Sequence, residues 1–156
     1  MIKMMRVDHR LLHGQVAFSW TSALSADCIL IADDETASNE LKKSAMKLAK
    51  PNGVKLVIKN VDEAIKSLKK GVTDKYKLFI VVGSIESAKK IIDGYSEIKT
   101  LNLGGTLPGP NKSNISKTIA ITSSERDMLR DLLNEGVDIN IQMVPSDSKV
   151  NVKNII

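Results

Sequence analysis

Hydrophobic residues are arranged in two different patterns along the chain. In some segments they form short apolar runs or alternate with polar residues, as is typical of buried and half-buried strands. Seven such segments predict strands: 1–7, 28–32, 54–58, 78–82, 98–103, 115–121 and 137–144. The last of these alternates apolar and polar positions, which predicts a place near a sheet edge.

Between these segments the apolar residues recur at helical spacing, and polar residues mark where helices begin. Asn60 with Glu63, Ser84, and Thr122 with Glu125 are the predicted N-caps, and Gly71 is a predicted stop. Two of the predicted apolar stripes are Val16, Trp20, Ala23 and Leu24, then Leu41, Ala45, Leu48 and Ala49. Alternating strands and helices predict one α/β domain over residues 1–156, with an open, mostly parallel sheet covered by helices on both faces.

Composition narrows the classes of function. With a single cysteine, Cys28, the chain has no internal disulfide and no cysteine-based zinc cluster. The early charges of MIKMMRVDH argue against a signal peptide, and no apolar stretch is long enough to span a membrane, so we expect a cytoplasmic protein. The net charge of +5 suits acidic partners. Because its lysines are dispersed and lack interleaved aromatics, we do not expect nucleic-acid binding.

The stretch DHRLLHGQV, residues 8–16, contains both histidines of the chain and follows the first predicted strand. In parallel sheets, ligands bind at the carboxyl ends of strands, so its position alone makes it a candidate site. The spacing of His9 and His13 could place both rings on one face of a helix and bind a metal. No third histidine is available as a ligand, so we predict no metal site.

Phosphate chemistry suits the same stretch better. A helix that begins near Gly14 would direct free N–H groups and the positive end of its dipole at an anion. Arg10 offers a charged fork for phosphate oxygens, and His13 offers a nucleophilic nitrogen. Asp8 could hold Arg10 or select the histidine tautomer. On the residues alone, a plain turn with a surface ion pair between Asp8 and Arg10 remains an open alternative.

The segment RVDHRLLHGQV resembles the active-site segment of the enzyme IIB components of the mannose/fructose/sorbose family of the bacterial sugar phosphotransferase system. The resemblance extends through ADCILIADDETASNE, LAKPNGVKLVI, LNLGG and GVDINIQMVPSDSKV, and so covers nearly the whole chain. It implies a seven-stranded, mostly parallel sheet. Many members of the family have Asp at the position of His9, so we expect that position to be dispensable for transfer.

The resemblance also implies a reaction. His13 would take a phosphoryl group on Nδ1 from a phosphohistidine of a IIA partner and pass it to a sugar bound by the membrane-embedded IIC and IID partners. No cofactor is implied, and the phosphate-binding residues would be Arg10, Leu11, Leu12, Gly14 and Gln15, with Asp8 in support. A non-catalytic nucleotide- or flavin-binding module is the alternative function, although the chain lacks a glycine-rich phosphate fingerprint. The sequence is compatible with a homo-oligomer.

Several residues near this segment have two interpretations each. Trp20 lies on the apolar stripe and is expected in the core, whereas Phe18 lies off the stripe and could face a partner or lie under a loop. Asp33 and Asp34 could act near the phosphate or cap a helix. The glycine- and proline-rich segment 104–114 is expected to be a loop, in which Gly104 and Gly105 either approach the site or form a turn.

Overall fold

The computed structural model describes residues 1–156. The strands are β1 (Ile2–Asp8), β2 (Cys28–Ala32), β3 (Lys55–Lys59), β4 (Leu78–Val82), β5 (Thr100–Gly105), β6 (Ser113–Asn114), β7 (Ala120–Ile121), β8 (Asp138–Ile141) and β9 (Val150–Asn151). The helices are α1 (Gly14–Leu24), α2 (Asp34–Ala37), α3 (Glu40–Ala49), α4 (Val61–Lys70), α5 (Ile85–Gly94), α6 (Ser123–Asn134) and a 3₁₀ helix at Val152–Asn154. No helix is both long and apolar enough to cross a membrane.

Seven strands form one sheet in the order β3-β2-β4-β1-β5-β8-β9. All neighbouring strands are parallel except β8 and β9, which are antiparallel. This confirms the predicted α/β class and the mostly parallel sheet. The predicted position of segment 137–144 near an edge is also confirmed, since only the two-residue β9 lies outside β8.

Each face of the sheet has its own apolar core. On one face α4, α5 and α6 cover the larger core, which includes Leu68, Ile91 and Leu129. On the other face Trp20 of α1 belongs to a smaller core of nine buried residues, against which Met46 of α3 packs. The loop that joins β1 to α1 therefore lies at the carboxyl end of a central strand, where parallel sheets place their ligands.

The helix boundaries follow the local signals in the sequence. Thr122 and Glu125 form a reciprocal capping box at the start of α6. The side chains of Asn60 and Ser84 each accept one backbone N–H, from Glu63 of α4 and Ser87 of α5. Gly71 ends α4 in the left-handed conformation, at φ 75°.

The prediction of a strand at 115–121 is wrong. Only Ala120 and Ile121 are extended, and they pair with β6 in a separate two-stranded ribbon outside the main sheet. The Ser116 hydroxyl accepts the N–H groups of Thr118 and Ile119 at 3.3 and 3.1 Å, which closes a turn. Such a side-chain bond competes with strand pairing, and the apolar spacing alone could not reveal it.

The apolar stripe predicted for α3 is wrong for Leu41, Ala45 and Leu48, which are exposed. Leu41 is 81% exposed, Leu48 is 88% exposed, and no residue of this helix is buried. The helix packs on the sheet through Ala49 of the predicted stripe and through Met46, which lies outside it. Since α3 has apolar residues on more than one side, periodicity alone did not decide which side faces inward.

Candidate active site

The turn between β1 and α1 brings the His13 side chain back to Asp8, the last residue of β1. The Leu11 N–H donates to the Asp8 carbonyl at 2.9 Å, and Leu11 adopts a left-handed φ of 60°. His13 is extended at the N-cap of α1, and Gly14 follows with a φ of 43°. A Cβ on Gly14 would touch nothing within 4 Å, so the backbone angle is what favours glycine there.

His13 is held through one ring nitrogen and left open at the other. Its Nε2 lies 3.1 Å from Oδ2 of Asp8. Its Nδ1 makes no hydrogen bond within the protein and is not closed off from solvent. The side chain as a whole is 24% exposed. With Asp8 ionised, the hydrogen bond places the proton on Nε2 and leaves Nδ1 with a free lone pair.

Asp8 is fully buried, yet its carboxylate is surrounded by donors. Oδ1 accepts the backbone N–H of Arg10 at 3.0 Å and its Nε at 3.5 Å, while Oδ2 accepts from Nη2 of Arg6 at 3.2 Å. Burial acts to raise the pKa of Asp8, but the hydrogen bonds from His13 and Arg10 and the charge of Arg6 outweigh it and hold that pKa below its usual value. The acceptor for His13 is therefore a carboxylate at neutral pH.

Two sources of positive charge lie near His13. Arg10 is 44% exposed, and its Nε is the only part of its guanidinium near Asp8, so the rest of the fork can reach an anion. α1 begins immediately after His13, and the backbone N–H groups of Leu12, Gly14 and Gln15 donate to no protein acceptor. The Leu11 N–H is already donated to Asp8. An anion beside His13 would thus meet a guanidinium and a helix N-terminus.

The family model for the "PTS system sorbose subfamily IIB component" matches residues 2–156. The chain belongs to this family. A relative named "Probable phosphotransferase enzyme IIB component" from Streptococcus pyogenes serotype M6 is 30% identical over 162 residues, which cover 100% of this chain and 99% of the relative.

Solved structures of similar proteins share the fold. The IIBSor domain of the sorbose permease from Klebsiella pneumoniae superposes with a TM-score of 0.93 at 25% identity, covering 99% of this chain and 94% of that one. The structure of manxB from Thermoanaerobacter tengcongensis gives a TM-score of 0.92 at 33% identity, with the same coverage of both chains. The chain is thus a IIB component of the phosphotransferase system along its whole length.

In this IIB protein a row of polar residues lies behind Asp8, with Arg6 and Asn102 buried and Asn140 half-buried, and the sequence pattern did not single it out. Arg6, Asn102 and Asn140 stand in register on β1, β5 and β8. The Asn102 side chain accepts from Arg6 at 2.6 Å and donates to Asn140 at 3.0 Å. The available signal was the polar residue that lies between apolar neighbours in each of three strands, since buried polar groups need partners.

His9 is less solvated than expected for a loop histidine. Its side chain is 26% exposed, and its Nδ1 is buried without a hydrogen-bond partner, 4.0 Å from Oδ1 of Asp8. Its backbone N–H donates to the carbonyl of Gly105 at 3.0 Å, which joins the loop to the end of β5. Gly104 and Gly105 therefore belong to a strand and approach the site, rather than forming a turn of their own.

Trp20, Asp33 and Asp34 have structural roles. Trp20 is buried, as predicted, and its indole N–H donates to the Met143 carbonyl at 2.9 Å. Asp33 caps α2 by accepting from Thr36, and Asp34 accepts the N–H of Val61 at 2.9 Å, so both carboxylates have structural partners.

Phe18 is 59% exposed, one turn along α1 from the site, and no loop covers it. In the whole chain, no three His, Cys, Asp or Glu side chains cluster in a way that could hold a metal ion.

Proposed function

We propose that this IIB component carries a phosphoryl group on His13 between a phosphorylated IIA protein and a sugar. The observation that supports this most is the placement of His13, with Nε2 on the Asp8 carboxylate and Nδ1 free of any protein partner. This arrangement supplies a nucleophile in the correct tautomer before any partner arrives.

Transfer is an in-line displacement at phosphorus. The lone pair of His13 Nδ1 forms a bond to the phosphorus while the bond from phosphorus to the donor histidine nitrogen breaks, and the electron pair of that bond returns to the donor ring. The proton on Nε2 stays in place, and Asp8 stabilises the positive charge that develops on the ring. A sugar hydroxyl then displaces His13 from the phosphorus and loses its proton to water.

Charge stabilisation would come from the surrounding loop. Arg10 would contact the phosphoryl oxygens through its exposed guanidinium, and the N–H groups of Leu12, Gly14 and Gln15 would donate to the same oxygens. Leu11 would contribute through its left-handed backbone, which shapes the turn. The step between the two histidines needs no metal and no separate base, because the attacking nitrogen carries no proton.

A histidine carrier is favoured over a cysteine carrier by the positions of the two side chains. Cys28 is 2% exposed at the amino end of β2, and burial raises the pKa of its thiol. A buried thiol with a raised pKa is a poor nucleophile. His13 is partly exposed at the opposite, carboxyl edge of the sheet, where ligands bind.

The two transfer steps, onto His13 and from His13 to a sugar, each require a partner. We infer a IIA protein or domain as the donor and the membrane-embedded IIC and IID components, with bound sugar, as the acceptor, so the chain would associate peripherally with the transporter. The net charge of +5 favours acidic rims on these partners, and a carrier must dissociate from each partner quickly.

Labelling from phosphoenolpyruvate through the general phosphotransferase proteins and the cognate IIA tests the proposal. We expect one acid-labile, base-stable phosphate on the wild-type protein, none on His13→Ala, and full labelling of His9→Ala and Cys28→Ser. Arg10→Ala should accept phosphate much more slowly with little change in stability, and Arg10→Lys should rescue it only in part because the fork is lost. Labelling of His13→Ala would exclude His13 as the carrier.

A further inference from the structure

The side chain of Arg6 is enclosed directly behind the reacting loop. It is 2% exposed and lies two residues before Asp8, on the same face of β1. Its Nη1 donates to Asn102 at 2.6 Å and to the Gln142 carbonyl at 2.9 Å, and its Nη2 donates to the Met143 carbonyl at 3.0 Å. A guanidinium with this many fixed acceptors has one orientation only.

Gly104 makes room for that guanidinium. A Cβ built on Gly104 would lie 2.1 Å from Cζ of Arg6 and 2.1 Å from its Nη2, far closer than real atoms approach. The Trp20 ring confines the same group, with its centroid 5.4 Å from Cζ. The absence of a side chain at 104 is therefore a requirement set by Arg6, and Gly104 needs no unusual backbone angle.

The contacts of Arg6 lead to both groups that the proposed transfer uses. The Asp8 oxygen that orients His13 is the one that accepts from Arg6, at 3.2 Å. The same guanidinium holds the carbonyl of Met143, whose sulfur lies 3.9 Å from Nη2 of Arg10. Arg6 thus supports His13 through Asp8 and borders Arg10 through Met143, although it is too deeply buried to touch a phosphoryl group itself.

We propose that Arg6, which packs against Gly104, is a positioning residue for phosphoryl transfer. It fixes the tautomer and direction of the His13 ring through Asp8, and this inference rests on the proposed function. The alternative is that Arg6 only stabilises the junction of β1, β5 and β8. The two roles differ in their effect on the His13 ring, which a purely structural role would leave unchanged in any variant that folds.

The sharpest perturbation is Gly104→Ala, because it displaces the guanidinium while Arg6, Asp8, Arg10 and His13 all remain. We expect kcat for transfer from phosphorylated IIA to fall on the order of 10²-fold with little change in KM, since a misplaced group slows the chemical step more than docking. The matched control is Gly109→Ala, where a Cβ would make only ordinary contact, 3.7 Å from the Lys112 side chain.

The direct readout is ¹⁵N NMR of the His13 ring in the unphosphorylated protein. Wild type and Gly109→Ala should show a single tautomer with the proton on Nε2, and Gly104→Ala a mixture. If Gly104→Ala does not fold, Arg6→Lys takes its place: it keeps the charge, loses the fork, and should show the same mixture in weaker form.

A folded Gly104→Ala or Arg6→Lys whose tautomer matches wild type would overturn the proposal, whatever its rate. A kcat within about twofold of wild type would overturn it as well. The tautomer is measured without any partner. Failure of the wild-type protein to accept phosphate would therefore count against the proposed function, while the NMR comparison would still decide whether Arg6 positions His13.

Discussion

The change Asp8→Asn examines the centre of the site with almost no change of shape. Both carboxylate oxygens are used as acceptors: Oδ2 faces His13 and Arg6, and Oδ1 faces the backbone N–H of Arg10. An amide has only one acceptor oxygen, so its NH₂ group must oppose a donor on one side. If the NH₂ group faces His13, the ring can accept it only by moving its proton to Nδ1, the nitrogen that we propose attacks.

Two magnitudes follow from these contacts. Removing one partner of a buried ion pair costs about 3–5 kcal/mol. Arg6 keeps acceptors on Asn102, Gln142 and Met143, so we expect the lower end, about 3 kcal/mol of unfolding free energy. Transfer should suffer more than stability, because the corresponding amide substitution behind a catalytic histidine lowers kcat by about 10⁴ in serine proteases. We expect a loss of about 10² to 10⁴ here.

Two measurements separate the effect on transfer from the effect on stability. Rapid-quench kinetics give the rate of transfer from saturating phosphorylated IIA to the folded variant, and urea unfolding gives its free energy of unfolding. Asp27→Asn is the matched control, because Oδ1 of Asp27 accepts the Lys77 N–H at 2.8 Å beside the amino end of β2. If Asp8→Asn is destabilised as expected but transfers as fast as Asp27→Asn, Asp8 does not set the His13 tautomer and the reasoning is refuted.

Two further predictions concern acid and the partner surface. Because the pKa of Asp8 is lowered in the folded protein, its ionised form adds stability at neutral pH that is lost as the pH falls below 3.8, its usual value, and through the folded value. The stability gap between wild type and Asp8→Asn should therefore shrink in acid; a constant gap would contradict this. Phe18 is 59% exposed beside the site, so Phe18→Ala should raise KM for IIA about tenfold and leave kcat and stability nearly unchanged. An unchanged KM would place Phe18 outside the docking surface.

The order of residues within short segments of the sequence predicted much of the fold. The apolar runs at 28–32 and 78–82 became β2 and β4 without any shift of their ends, because a run of only five apolar residues is typical of a strand covered on both faces and too short for a buried helix. The capping box of Thr122 and Glu125 marked the start of α6, since such caps use only neighbouring groups. The order DHRLLHG after the first strand likewise located the candidate site, because a loop at the carboxyl end of a parallel strand is where ligands bind.

Contacts between distant residues were decided only by the tertiary structure. The sequence did not indicate that Ser116 closes a turn in place of a strand, or which side of α3 faces the sheet. It named His13 and Arg10, but not the pairing of Arg6 with Asn102, 96 positions away, or the need for Gly104 beside it. Periodicity reports which way a side chain points on its own element, whereas a buried charge is defined by donors and acceptors that three separate strands bring together.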